Sequence, residues 1–310
     1  MALADLWTEK WRPKDLEGYV FRDDEQRKQV KVWADEGSFP HLLFSGAAGT
    51  GKTTLAKVLI NLSNVDEYDV LEINASRENS VDVIREKITN FVQTMPFGKF
   101  KVVLLDEADY ISPNGQAALR GVMEMYHSTA RFILTCNYPN RIIPALHSRC
   151  QGFHIEKLDL IEFTSRVATV LCHEEIEFEL ETLDAYVRGT YPDLRKCLNN
   201  LQMNSGTGTL TKPSESTAGG QDFLTKAVEQ LKAGDLRAAR ATICDNLRAD
   251  EIESIWPWMY DNLDLWGKTD DKKDAAILAI RKGMVNHTMS ACPEINVSAT
   301  LTELIINLES

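Results

Sequence analysis

No apolar run in the chain approaches the roughly 20 residues that a membrane-spanning helix needs, which excludes a helical membrane protein. The first residues, MALADLWTEKWRP, mix acids with bases and lack the apolar centre of a signal peptide. A cytoplasmic protein is expected. The six cysteines, Cys136, Cys150, Cys172, Cys197, Cys244 and Cys292, include no C-x-x-C pair. A structural zinc site is therefore not expected, and scattered buried thiols are. Basic residues are also in deficit. The net charge of −12 argues at first against nucleic acid. Its distribution changes that argument, because residues 1–157 carry 19 Lys and Arg against 21 Asp and Glu, whereas residues 158–310 carry 15 against 25. The acid lies in the C-terminal half, and the N-terminal half is free to carry a basic stripe.

What the chain does have is length enough for two or three domains and a regular alternation of apolar runs with helical patterns in its first half. Candidate strands are His41–Ser45, Val70–Asn74, Lys101–Asp106, Arg131–Asn137 and Gly152–Ile155. Helical patterns lie between them over Thr53–Leu62, Val81–Thr94 and Pro113–Tyr126, the last capped by Ser112 with Pro113 at its first position. This order predicts an α/β fold with a five-stranded parallel sheet and crossover helices. After Leu158 the strands stop. Residues 158–205 read as a small helical region, 206–222 as a Gly/Ser/Thr-rich linker, and 223–310 as a second helical domain. Trp256, Trp258 and Trp266 in that last domain are expected in its core, with a subunit interface as the alternative.

One stretch carries chemistry at once. Gly46–Thr53, GAAGTGKT, fits G-x-x-x-x-G-K-[ST] and sits between a strand and a helix, as a phosphate-binding loop requires. Its glycines let backbone N–H groups curl around phosphate oxygens. Ala47, Ala48, Thr50 and Thr54 complete the loop and its exit. Lys52 can neutralise the β- and γ-phosphates, and the Thr53 hydroxyl can hold Mg²⁺. The apolar strand ending in "LLDEAD" delivers Asp106 and Glu107 at its C-terminal end, where ligands bind in open α/β sheets. Asp106 would hold the metal and Glu107 would polarise an attacking water. Asn137, at the end of the next strand, can orient that water.

These elements in this order resemble an AAA+ ATPase, and more narrowly a clamp-loader subunit of the replication factor C type. The likeness rests on "WTEKWRPKDLEGYV", "FPHLLFSG", "LEINAS", "LLDEAD", "NGQAALRGVMEMY", "LTCNYPNRIIPALHSRC" and "YPDLRKCLNNLQ", and spans residues 7–203. It implies a nucleotide-binding core over 1–157, a helical lid over 158–205 and a helical collar that assembles subunits over 223–310. It implies ATP and Mg²⁺ as cofactors, with Arg12, Pro13, Tyr19 and Val20 walling the adenine and ribose. Arg149 of "HSRC" aligns with the arginine finger, which reaches the γ-phosphate of a neighbouring subunit and is worth 10³- to 10⁵-fold in rate. Arg195 aligns with the lid arginine that senses the γ-phosphate.

The same resemblance implies a sliding clamp, primer–template DNA and other clamp-loader subunits as partners. Arg77, Arg85 and Arg120 would contact DNA phosphates without reading sequence. The family often carries a further basic residue where this chain has Asn79–Ser80. Phe91, Met95 and Phe97 would face the clamp, although core packing against the next strand explains Phe91 equally well. Length and the missing zinc module look most like the large subunit of a tailed-phage clamp loader, which assembles four copies with one distinct small subunit. Two rivals remain at this point. A protein-remodelling AAA+ ATPase usually presents an aromatic pore loop after the second strand, and "SRENS" has none. A non-hydrolysing scaffold subunit would not need Lys52, Thr53, Asp106, Glu107 and Asn137, which are all present.

Overall fold

The computed structural model describes residues 6–78, 81–155, 157–213, 222–246, 252, 255–267 and 269–309. Contacts divide the chain into two compact units, Met1–Thr211 and Lys212–Ser310.

The first unit opens with a short helix α1 (Trp7–Lys10) and a longer α2 (Asp24–Glu36). Five strands follow: β1 (Leu42–Ser45), β2 (Val70–Asn74), β3 (Lys101–Asp106), β4 (Ala130–Cys136) and β5 (Gln151–His154). They form one parallel sheet in the order β2-β3-β4-β1-β5. The connections run through α3 (Lys52–Leu62), α4 (Val81–Gln93), α5 (Pro113–Met125) and the single turn α6 (Pro144–His147). Both faces of the sheet are covered, so its strands read as continuous apolar runs. Alternate residues nevertheless enter different cores. Leu42, Phe44, Val102 and Leu104 pack with α2 and α3 residues such as Val30, Leu55 and Leu59. Leu43, Val103, Leu105 and Leu134 pack with Ile88 and Val92 of α4 and Leu119 and Met123 of α5.

Three further helices complete the unit: α7 (Leu160–His173), α8 (Leu180–Thr190) and α9 (Leu194–Met203). Asp159 and Asp193 cap α7 and α9 by accepting backbone N–H bonds. Phe163, Val167, Leu183, Tyr186, Cys197 and Leu201 join the same core as α2 and α3. The N-terminal segment is tied to these helices. The Trp7 amide donates to the Gln202 side chain (3.0 Å), Trp11 stacks on His173 with centroids 5.0 Å apart, and Arg166 donates to the Trp11 carbonyl (2.7 Å).

Residues 206–211 depart from the expected linker. Leu210 is buried, the Glu177 amide donates to the Gly208 carbonyl (3.0 Å) while its carbonyl accepts the Leu210 amide (2.8 Å) in a bridge at Thr209, and Tyr186 donates to the Thr211 carbonyl (3.0 Å). One apolar side chain and three anchored peptide groups outweigh the turn-forming composition of this stretch. Residues 214–221 lie outside the described residues.

The second unit is helical: α10 (Asp222–Lys232), α11 (Leu236–Asn246), α12 (Ile255–Asp261), α13 (Asp270–His287) and α14 (Pro293–Glu309). Trp256, Trp258 and Trp266 all sit in its core with Leu224, Val228, Leu301 and Leu304, as the core reading of the tryptophans anticipates. Trp256 lies so close to α13 that a Cβ on Gly283 would come within 2.6 Å of its ring. Among the described residues no helix is long and apolar enough to cross a membrane.

One half-buried base makes the first unit sensitive to acid. The His41 Nδ1 accepts the Phe132 amide (3.1 Å), which requires a neutral ring. Burial, with Arg131 and His127 nearby, pushes its pKa from 6.5 down to about 4. The unfolded chain therefore takes up this proton before the folded one does. The contribution is complete above pH 6.5 and is lost as the pH falls through the window toward 4. Urea unfolding should show a loss of about 2 kcal/mol from this site, after discounting for partial exposure. His41→Gln should narrow the difference between pH 7 and pH 4.5 by that amount.

Candidate nucleotide site

The loop between β1 and α3 is a backbone cradle with its walls already in place. Gly46, Gly49 and Gly51 have φ of +152°, +74° and +92°, where a side chain is strained. Each glycine also has a neighbour where a Cβ would stand: the Ile155 carbonyl at 2.1 Å, the Asp193 carboxylate at 1.7 Å and the Tyr19 ring at 3.0 Å. Lys52 opens α3 and folds back onto the loop, donating to the carbonyls of Gly46 (2.9 Å) and Ala47 (2.7 Å). Burial lowers its pKa, while Cys136, Asp106 and Asp109 act to raise it. The Thr50 hydroxyl closes the loop on the Ala47 carbonyl (2.9 Å).

At the ends of β3 and β4 the polar side chains converge. The Thr53 hydroxyl donates to Asp106 Oδ1 at 2.5 Å, and the Thr135 hydroxyl donates to the same oxygen at 2.7 Å. Thr135 also accepts the Glu107 amide at 3.0 Å. Glu107 itself has φ of +57°, an uncommon conformation for a residue with a side chain. Together these groups line a cleft of about 580 Å³ with Thr54, Asn74, Asn137 and, from α9, Arg195. That is the size of a small-molecule site, and its lining is dense in cationic and hydroxyl donors.

The structure thus brings Lys52, Thr53, Thr54, Asp106, Glu107, Asn137 and Arg195 to one cleft, with Arg12 and Arg77 at its lining. Pro13, Tyr19 and Val20 are not among the lining residues; Tyr19 and Val20 are buried instead. Arg149 is also elsewhere. It follows α6 and pairs with Glu124 of α5 while donating to the Ala145 carbonyl (2.8 Å). Arg120 approaches the same Glu124 at 3.9 Å. Arg85 is exposed on α4, and Asn79–Ser80 lie outside the described residues. Phe91 turns inward, with the Lys101 ammonium 4.4 Å from its ring centroid, whereas Met95 and Phe97 are 84% and 79% exposed. The Tyr68 ring joins Phe97 at 6.1 Å.

One residue of the cleft, Thr135, and two outside its lining, Asp193 and Gln116, are not among the site residues that the sequence marks. Thr135 is in register with Asn137, two residues on, so strand alternation could have found it. Asp193, besides capping α9, abuts Gly49, and Gln116 spans a gap. The Gln116 amide donates to the carbonyls of Ile111 (2.9 Å) and Arg141 (3.0 Å) and accepts the Ile143 amide (2.8 Å). It thereby fixes the segment between β4 and α6. No sequence signal marks it.

The loop geometry predicts the outcome of a single methyl group. Gly46→Ala must move the Ile155 backbone and occupy a strained φ, so it should cost about 2 kcal/mol or more. Chemical denaturation together with equilibrium nucleotide binding would register both losses.

The sequence model of the "ATPase family associated with various cellular activities (AAA)" matches residues 42–157, the stretch from β1 to the end of the sheet. Curated relatives extend well beyond it. The replication factor C small subunit of Picrophilus torridus is 40% identical over 217 residues, covering 69% of this chain and 68% of that protein. Those of Aeropyrum pernix and Haloarcula marismortui are 38% and 36% identical, over 78% and 80% of this chain and 76% and 78% of theirs. Among solved structures, the RuvB Holliday junction branch migration motor of Thermotoga maritima superimposes with a TM-score of 0.55 over 78% of this chain and 87% of its own. At 14% identity that likeness concerns the fold alone. With more than a third of residues identical across both the sheet and the helices that follow it, the chain belongs to the replication factor C small-subunit family of AAA ATPases.

Proposed function

We propose that this protein is an ATPase subunit of a DNA sliding-clamp loader, using ATP to open a ring-shaped clamp and place it on primer–template DNA. Membership of the replication factor C family carries the proposal, and the constitution of the cleft agrees with it. The loop, the paired carboxylates and the strand-end amide supply what phosphoryl transfer to water needs, while Arg149 stands outside its own chain's cleft.

The chemistry follows from the residues present. Lys52 exchanges its two loop carbonyls for phosphate oxygens, which are stronger partners for an ammonium. The Glu107 carboxylate takes a proton from the attacking water as the water oxygen bonds to the γ-phosphorus. The bond from that phosphorus to the β–γ bridging oxygen breaks, releasing ADP. The Asn137 amide orients the water, and Arg195 meets the γ-phosphate from the lid. Thr53 and Asp106 present a hydroxyl and a carboxylate oxygen side by side, the hard-donor pair that suits Mg²⁺. These two would hold the ion, which supplies charge neutralisation at the β- and γ-oxygens when bound.

Arg149 serves the site of the adjoining subunit, so that hydrolysis is conditional on assembly. Within its own chain the guanidinium pairs with Glu124 of α5, away from the cleft. Arg77, Arg85 and Arg120 track DNA phosphates, and Met95 with Phe97 forms the apolar contact to the clamp, whereas Phe91 packs against the core of the sheet. Four copies of this chain with one distinct small subunit form the assembly, with the second helical unit as its collar.

The central test is steady-state ATP hydrolysis by the assembled complex. The rate should rise when primer–template DNA and clamp are added together, and a rate indifferent to both would sink the reading. Arg149→Ala should abolish the stimulated rate, a loss on the order of 10³-fold or more, while ATP binding stays near normal. Loss of ATP binding would instead count against the finger. Arg77→Ala with Arg85→Ala should lower the log–log salt slope of DNA binding by roughly 2. An unaltered slope removes both from the DNA track. Native mass spectrometry of the complex reads the copy number directly.

A further inference from the structure

The most completely bonded polar side chain at the cleft is a buried hydroxyl. Thr135 is 1% exposed on β4, the strand that separates β3 from β1. Its hydroxyl has one proton and two lone pairs. The proton goes to Asp106 Oδ1 (2.7 Å), and a lone pair accepts the Glu107 amide (3.0 Å). One side chain therefore holds two consecutive residues of the neighbouring strand end.

Those two residues need holding. In a strand that simply continued, Asp106 and Glu107 would point to opposite faces of the sheet. Here both line the cleft. The change of direction is made at Glu107, whose φ of +57° is disfavoured for any residue with a Cβ. The Thr135 hydroxyl fastens the amide on which that turn pivots. It also fixes, through Asp106 Oδ1, the carboxylate that Thr53 contacts from α3.

We propose that Thr135 is a positioning residue for ATP hydrolysis, setting the Asp106 and Glu107 carboxylates relative to each other without touching the nucleotide. The proposal rests on the reading of Glu107 as the group that activates water. Loss of the hydroxyl frees the Glu107 amide and lets φ relax, which turns the carboxylate away from the water. The serine variant keeps both bonds.

The experiment is single-turnover hydrolysis of Mg·ATP by the full chain in its assembled complex, with primer–template DNA and clamp. Thr135→Val, nearly isosteric and well suited to a strand, should lower the rate roughly 100-fold. Its ATP affinity and thermal midpoint should stay near wild type, and Thr135→Ser should recover most of the rate. Should the valine protein not fold, Thr135→Cys keeps the shape with a weak donor, and an intermediate loss is expected. In a Glu107→Gln background the further loss from Thr135→Val should nearly vanish, because the two residues act as one unit. A wild-type rate in Thr135→Val, a loss that serine does not recover, or full additivity with Glu107→Gln would each overturn the proposal. A Glu107→Gln enzyme that hydrolyses normally would instead remove the water-activating role, and this proposal with it.

Discussion

Asp106 Oδ1 accepts hydrogen bonds from Thr53 at the start of α3 and from Thr135 on β4. Both donors reach one oxygen because of the strand order. β3 and β1 are not neighbours in the sheet, and β4 lies between them. A carboxylate leaving β3 can meet the helix that follows β1 only by crossing the end of β4, and Thr135 stands on that route. The phosphate loop, the acidic strand end and the strand that carries Asn137 are thus joined at a single atom. Displacing any of the three strands moves the other two sides of the cleft.

The helices after the sheet are held by the same logic of shared partners. α7, α8 and α9 contribute to the hydrophobic core that also contains α2, α3 and one face of the sheet. Tyr191 donates to the Leu158 carbonyl at 2.5 Å, which ties the approach to α7 to the loop between α8 and α9. Asp193 then touches Gly49 while its carboxylate caps the helix that carries Arg195. The position of Arg195 is therefore linked to the shape of the phosphate loop through the carboxylate two residues before it. The N-terminal Trp7 and Trp11 close the arrangement by packing on these helices.

The five strands were legible in the sequence because a parallel sheet covered on both faces must be apolar along its whole length, and each expected strand lies within one residue of the observed one at either end. The phosphate loop was legible because its backbone shape demands glycine at fixed spacing. The sheet order is a different matter. It arises from packing between elements far apart in sequence, and the expectation of a five-stranded parallel sheet carries no strand order. Strand alternation puts Thr135 on the same face as Asn137, but a threonine in a strand is ordinary and its hydroxyl gains meaning only from the neighbours on β3. Residues 206–211 differ from the linker that their composition predicts for the opposite reason. Their Gly and Thr content is that of a loop, yet one buried leucine and a bridge to Glu177 hold them to the first unit. Charge in the C-terminal half pointed to no particular contact.

The glycines of the phosphate loop divide its sequence into two kinds of position. Gly46, Gly49 and Gly51 each have an immediate neighbour where a side chain would stand, two of them carboxyl or carbonyl oxygens. Ala47 and Ala48 face solvent. A library randomised across this loop should keep its diversity almost wholly at the two alanines. The loop is a mould with one open side, and variation among functional sequences is confined to that side.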